Sequence, residues 1–124
     1  MTEHGFKTEV EFGELHISGD ETVGYRPYQL LVSSIAVCSG GVLRKILTKK
    51  RIAFSSIKIN ADVERDPNAA NRVSKIHLHF EITGQDLKKR EMEKVLAVTR
   101  KHCAMVQSVK DAIDITDSFE LVQT

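Results

Sequence analysis

The sequence predicts an α+β fold, because its apolar residues recur with two different periods in blocks separated by turn residues. Alternation with a period of two runs from Phe6 to Phe12, from Ile57 to Val63 and from Ile76 to Ile82, as half-buried strands require. The segments from Pro27 to Leu47 and from Asp86 to His102 instead carry apolar residues at helical spacing. At 124 residues the chain has the length of one ordinary domain, and residues 1–124 are expected to form a single unit.

In the first block Phe6, Thr8, Val10 and Phe12 alternate with Lys7, Glu9 and Glu11, and Leu15 and Ile17 follow Gly13. Two short strands with a tight turn near Gly13 result. The polar stretch Ser18–Arg26 is a surface connection. Pro27 then suits the first turn of a helix, where its fixed φ is helical and its missing N–H leaves no donor stranded. Apolar residues from Leu30 to Leu47 nearly encircle this helix, which implies burial on most sides.

The two alternating runs that follow are joined by DPNAANR, which is turn chemistry, so they form an antiparallel hairpin with one wet face. From Asp86, a plausible N-cap, to His102, the positions Met92, Val95, Leu96 and Thr99 mark a second, amphipathic helix. A shorter helix over Ala104–Asp111 and a last strand through Ile113, Ile115, Phe119 and Leu121 complete the chain. The interruption of that strand predicts a bulge near Asp117.

The formal net charge is +1, and Arg44, Lys45, Lys49, Lys50 and Arg51 cluster at a helix C-terminus, where cations complement the helix dipole. Nucleic-acid binding needs a broader basic face with aromatics beside it, so no nucleic-acid partner is expected. The first residues lack the apolar stretch of a signal peptide, and the run Leu30–Cys38 is shorter than the ~20 residues that span a bilayer. A cytosolic protein with no membrane partner is the expectation. In that reducing setting two cysteines read as free thiols or a transient redox pair.

Those cysteines carry the available chemistry. Cys38 lies in phase with Leu31, Ile35 and Val42 and reads either as a small core residue or as a functional thiol. It is followed by Ser39 and by Gly40 and Gly41, each of which costs a helix about 1 kcal/mol relative to alanine. That cost points to a backbone or ligand approaching closely. Cys103 stands at the junction of two helices; if the chain breaks there, helix N–H groups favour its thiolate, and otherwise it belongs to the apolar face with Leu96 and Thr99.

His102 neighbours Cys103, but adjacent helical residues point apart, which disfavours a dyad. His77 and His79 share the wet face of a strand without a third ligand. No P-loop, dinucleotide fingerprint, HExxH or CxxC is present, and neither metal nor cofactor is expected.

The segment PYQLLVSSIAVCSGGVL, with Cys38 eleven positions after Pro27, resembles the cysteine helix of the OsmC/Ohr family. HCAMVQSVK, from His102 to Lys110, resembles the family's second cysteine segment, and the order of elements matches along nearly the whole chain. The resemblance implies an OsmC-like fold, with antiparallel sheets wrapped around buried helices in an intertwined homodimer. It also implies thiol-dependent reduction of organic hydroperoxides in oxidative-stress defence, with Cys38 peroxidatic, Cys103 resolving and an external dithiol as reductant.

Three positions depart from the hydroperoxide-resistance pattern. Tyr28 replaces a Glu after the Pro, residues 1–25 contain no Arg to hold the thiolate, and Ala104 replaces a Pro after the second cysteine. A buried thiol without such support has a raised pKa and is a poor nucleophile. Two alternatives therefore stand beside the peroxidase: a non-catalytic small-ligand-binding or stress-associated dimer, and a thiol redox sensor.

Overall fold

The alternation around Gly13 yields the expected hairpin. In the computed structural model, which describes residues 1–124, β1 (Phe6–Glu9) and β2 (Glu14–Ile17) pair antiparallel, with Phe6 opposite Ile17 and Glu9 opposite Glu14. At its tip Val10 N–H donates to Gly13 O at 2.9 Å and Gly13 N–H to Val10 O at 3.0 Å. Tyr25 folds back on β2, donating its N–H to His16 O at 2.8 Å. The hairpin belongs to the first of two compact units, Met1–Ser33; the second is Ser34–Thr124. Alternation does not produce a covered face here, since Phe6, Val10, Phe12 and Tyr25 are all exposed.

Helix α1 (Pro27–Lys49) starts at the proline, as the sequence requires. Its burial follows one stripe, through Val32, Ile35, Ser39, Leu43 and Leu47, while Val37 is 71% exposed and Leu31 is exposed as well. Burial on most sides is thus not reached within one chain. The spacing of three and four residues covers a single stripe, and the apolar residues between are left to solvent. The helix also holds an 18-residue window of mean hydropathy 1.6, enough by length and composition to cross a bilayer. That goes beyond the sequence expectation, because the serines and glycines that interrupt the apolar run are nearly neutral in hydropathy. A core helix meets the same measure, and α1 contributes its stripe to a core.

The second unit is built on a three-stranded sheet, with strand order β3-β4-β5, formed by β3 (Ser56–Asp66), β4 (Arg72–Gly84) and β5 (Asp114–Gln123). β3 and β4 form the predicted antiparallel hairpin, with Ile57 opposite Ile82, Ile59 opposite Phe80 and Val63 opposite Ile76, so their apolar residues share one face. Val73, Ile76, Leu78, Phe80 and Ile82 of the central strand are buried. β5 runs parallel to β4, because the helices α2 (Lys89–His102) and α3 (Ala104–Val109) carry the chain back to the end at which β4 began.

Two boundaries differ from expectation. The ladder from Lys75–Asp114 to Gly84–Gln123 is unbroken, so there is no bulge at Asp117; the register shift falls at Glu64–Arg65 instead. Asp117 breaks the apolar alternation because it pairs with Arg100 of α2, whose Nη1 donates to both carboxylate oxygens at 2.6 Å. Asp86 is not an N-cap. It has a φ of 54°, and α2 starts later, after Lys88, without a side-chain cap. The delay buries Leu87, whose N–H and carbonyl are both held by the Gln123 amide, at 3.1 and 2.7 Å. Met92, Val95, Leu96 and Thr99 are buried on α2, as their spacing predicts.

Candidate active site

The site forms where α1 meets the junction of α2 and α3. At Cys103 the backbone turns extended, with φ −80° and ψ 108°, so the residue closes one helix and opens the next. Its N–H still donates to Thr99 O and its carbonyl accepts the Gln107 N–H, both at 3.0 Å. The first N–H groups of α3 have no helical partner. Two of them, from Met105 and Ala104, reach Cys38 on α1.

This placement brings the N–H groups to Cys38 rather than to the residue that caps the helix. The Met105 N–H is the main influence holding the Cys38 thiol below its ordinary value; burial pushes the other way, and hydrogen bonds from the Cys103 side chain and the Ala104 N–H add to the lowering. The sequence offers Cys103 as the helix-supported thiolate. The break occurs where expected, but the N–H groups serve Cys38, because the capping residue's own side chain turns into the core. The raised value expected of an unsupported buried thiol is not met at Cys38, which the Met105 N–H holds below its ordinary value.

Cys38 is partly exposed and Cys103 fully buried, and both are free thiols. The Cys103 Sγ accepts a hydrogen bond from Ser39 Oγ at 3.2 Å and lies 4.0 Å from Ile35 O. Ser39 is itself buried. It was not singled out as functional from the sequence, although a hydroxyl in the buried stripe between Ile35 and Leu43 was a signal.

The neighbouring glycines divide. A Cβ at Gly40 would stand 2.7 Å from Ile59 Cδ1, so the neighbour is a side chain of β3 rather than the backbone or ligand expected from the sequence, and Gly41 faces open space. His102 is exposed on α2 and forms no dyad with Cys103. His77 and His79 sit on the outer face of β4, where their ring nitrogens meet the Thr116 and Ser118 hydroxyls at 2.6 to 2.8 Å.

A family model described as OsmC-like protein matches residues 18–117, which takes in both cysteines and every element from α1 to the start of β5. The chain belongs to the OsmC-like family. Protein YhfA of Escherichia coli K12 is 28% identical over 106 residues, spanning 85% of this chain and 78% of that protein. A hypothetical protein from Aquifex aeolicus VF5 superposes with a TM-score of 0.88 at 23% identity, over 100% of this chain and 92% of the other. An organic hydroperoxide resistance protein OsmC from Legionella pneumophila gives 0.77 at 20% identity, over 97% and 92%. At these identities the solved structures speak for the OsmC-like fold.

Seen as an OsmC-like site, the departures have local consequences. A residue before proline must be extended, and Cys103 is extended without one. Ala104 therefore keeps the backbone path and adds an N–H that proline would lack, and that N–H goes to Cys38. Tyr28 packs its ring under the Arg26 guanidinium, 4.8 Å from Cζ to centroid. Lys7, a cation of the N-terminal strands, is paired with Glu14 at 3.3 Å.

Proposed function

We propose that this protein reduces organic hydroperoxides by thiol chemistry, with Cys38 as peroxidatic and Cys103 as resolving residue. The observation that carries the reading is the partly exposed Cys38 thiol held low by the Met105 and Ala104 N–H groups beside a second, buried thiol. The Cys38 thiolate attacks the O–O bond; one oxygen stays on sulfur as sulfenic acid and the other leaves as the alcohol. Cys103 then attacks the Cys38 sulfur, an S–S bond forms, and hydroxide departs and takes a proton to become water. An external dithiol restores both thiols by exchange and is itself oxidised to a disulfide. A reducing cytosol suits this cycle, and the name of the Legionella protein supports a role in peroxide stress.

Treatment of the reduced protein with cumene hydroperoxide, followed by mass spectrometry, is expected to give a Cys38–Cys103 disulfide, and Cys38→Ser is expected to abolish it. Alkylation of Cys38 should show a pH midpoint below the roughly 8.5 of an ordinary thiol. A Cys38 that stays reduced ends the proposal.

The same reading includes a homodimer, supported by the exposed apolar residues Leu31 and Val37 of α1 and Phe6 of the hairpin. Light scattering at micromolar concentration is expected to give the mass of two chains, and the mass of one would remove the dimer. A second reading, a non-catalytic binder of small apolar ligands, draws on an open groove of about 550 Å³ lined by Val37, Gly41, Arg44, Phe54, Ile57 and Ile59. Full peroxide protection in cells by Cys38→Ser favours that binder. A disulfide that forms without turnover marks a redox sensor.

A further inference from the structure

The core of this protein holds two buried hydroxyls on helices, and they behave differently. Thr99 donates back to the carbonyl four residues earlier, Val95 O at 2.9 Å, the usual outlet for a hydroxyl inside a helix. Ser39 donates across to the Cys103 Sγ at 3.2 Å, 64 residues away in sequence. A neutral thiol is a weak acceptor, so the bond gives little return for burying a hydroxyl where alanine would fill the same stripe. A thiolate accepts far better, and a donor already aimed at it favours that form.

We propose that Ser39 is a positioning residue for the resolving thiol: its hydroxyl holds the Cys103 sulfur beside Cys38 and stabilises the Cys103 thiolate during closure of the disulfide. The role deepens the hydroperoxide-reductase reading and rests on it for its biological use. The two thiols then have different donors, Cys38 the Met105 N–H, the Cys103 side chain and the Ala104 N–H, and Cys103 the Ser39 hydroxyl. In closure, Cys103 loses its proton to solvent, its thiolate attacks Cys38 Sγ, the S–S bond forms and the group on Cys38 leaves with the bonding electron pair. The Ser39 O–H stays intact throughout and donates to the attacking sulfur.

The test uses Ellman's reagent, which needs no hydroperoxide. Its first equivalent forms a mixed disulfide on the partly exposed Cys38 and releases one coloured thiolate; attack by Cys103 on the Cys38 sulfur releases the second. For Ser39→Ala the first release is expected to change less than the second. The second is expected to fall about threefold at neutral pH, because the Cys103 sulfur loses the donor that holds it. Ser39→Thr, which keeps a hydroxyl, should restore the wild-type rate. An unchanged second release in Ser39→Ala, a failure of threonine to rescue, or no second release in the wild type overturns the role of Ser39. If the second release depends on Ser39 while cumene hydroperoxide leaves Cys38 reduced, the peroxidase reading fails and the hydroxyl–thiol pair stands.

Discussion

The N-terminal hairpin and the three-stranded sheet start from the same kind of sequence and end differently. In both, apolar and polar residues alternate. In β4 the alternation delivers Ile76, Leu78, Phe80 and Ile82 to a buried face, while in the hairpin Phe6, Val10 and Phe12 remain in solvent. Alternation specifies which residues share a face; it does not say what covers it. A lone two-stranded hairpin is at best marginal in water. Its apolar side is therefore a surface that the proposed dimer has reason to cover.

The largest effect that would sharpen this contrast lies in the core. Phe80→Ala should lose about 3–5 kcal/mol in chemical denaturation, whereas Phe6→Ala should stay within about 0.5 kcal/mol at concentrations where the chain is monomeric. A Phe6→Ala loss that grows with protein concentration would break the contrast and locate the cover in a second copy.

The glycines of α1 repeat the comparison one residue apart. Gly40→Ala gains the same helix propensity as any such change but pushes on the tip of Ile59, so its net effect is expected to lie at least about 1 kcal/mol below that of Gly41→Ala. Gly41→Ala meets nothing in the chain and should gain about 1 kcal/mol of helix propensity in the monomer. A loss at Gly41 instead would mean that a neighbour seats there. Denaturation midpoints of the two variants, measured together, distinguish these outcomes.

The smallest effect concerns the thiol. Every group that lowers the Cys38 pKa lies in the second unit, so hairpin variants should leave its alkylation midpoint unmoved. Ala104→Pro removes one of those N–H donors at a first-turn position that tolerates proline. Its midpoint should rise by a fraction of a pH unit while stability is unchanged or higher by up to about 1 kcal/mol. A lower midpoint would contradict the assignment of the Ala104 N–H.

Much of this was legible beforehand. Pro27, the paired alternations and the α2 spacing located the elements, and the two cysteine segments located the site, because all of these are local patterns. What was not legible depends on partners distant in sequence. Asp117 looked like a bulge because Arg100 was not known to meet it, and Asp86 looked like a cap because Gln123 was not known to hold Leu87. A helix start points first to Cys103, the residue in the cap, whereas its N–H groups reach a thiol on another helix. Ser39 meets its partner 64 residues away, which no local pattern reveals.

The parallel pairing of β4 with β5 also orders events in time. β3 and β4 can close as a local hairpin, whereas Lys75 must await Asp114, and such long-range parallel pairing is slow to form. During synthesis Cys38 leaves the ribosome before residues 103–105 do, and until α3 is built it lacks the N–H donors that lower its thiol. The lowered thiol is therefore a product of completed folding, and the role proposed for Cys38 can begin only once α3 is in place.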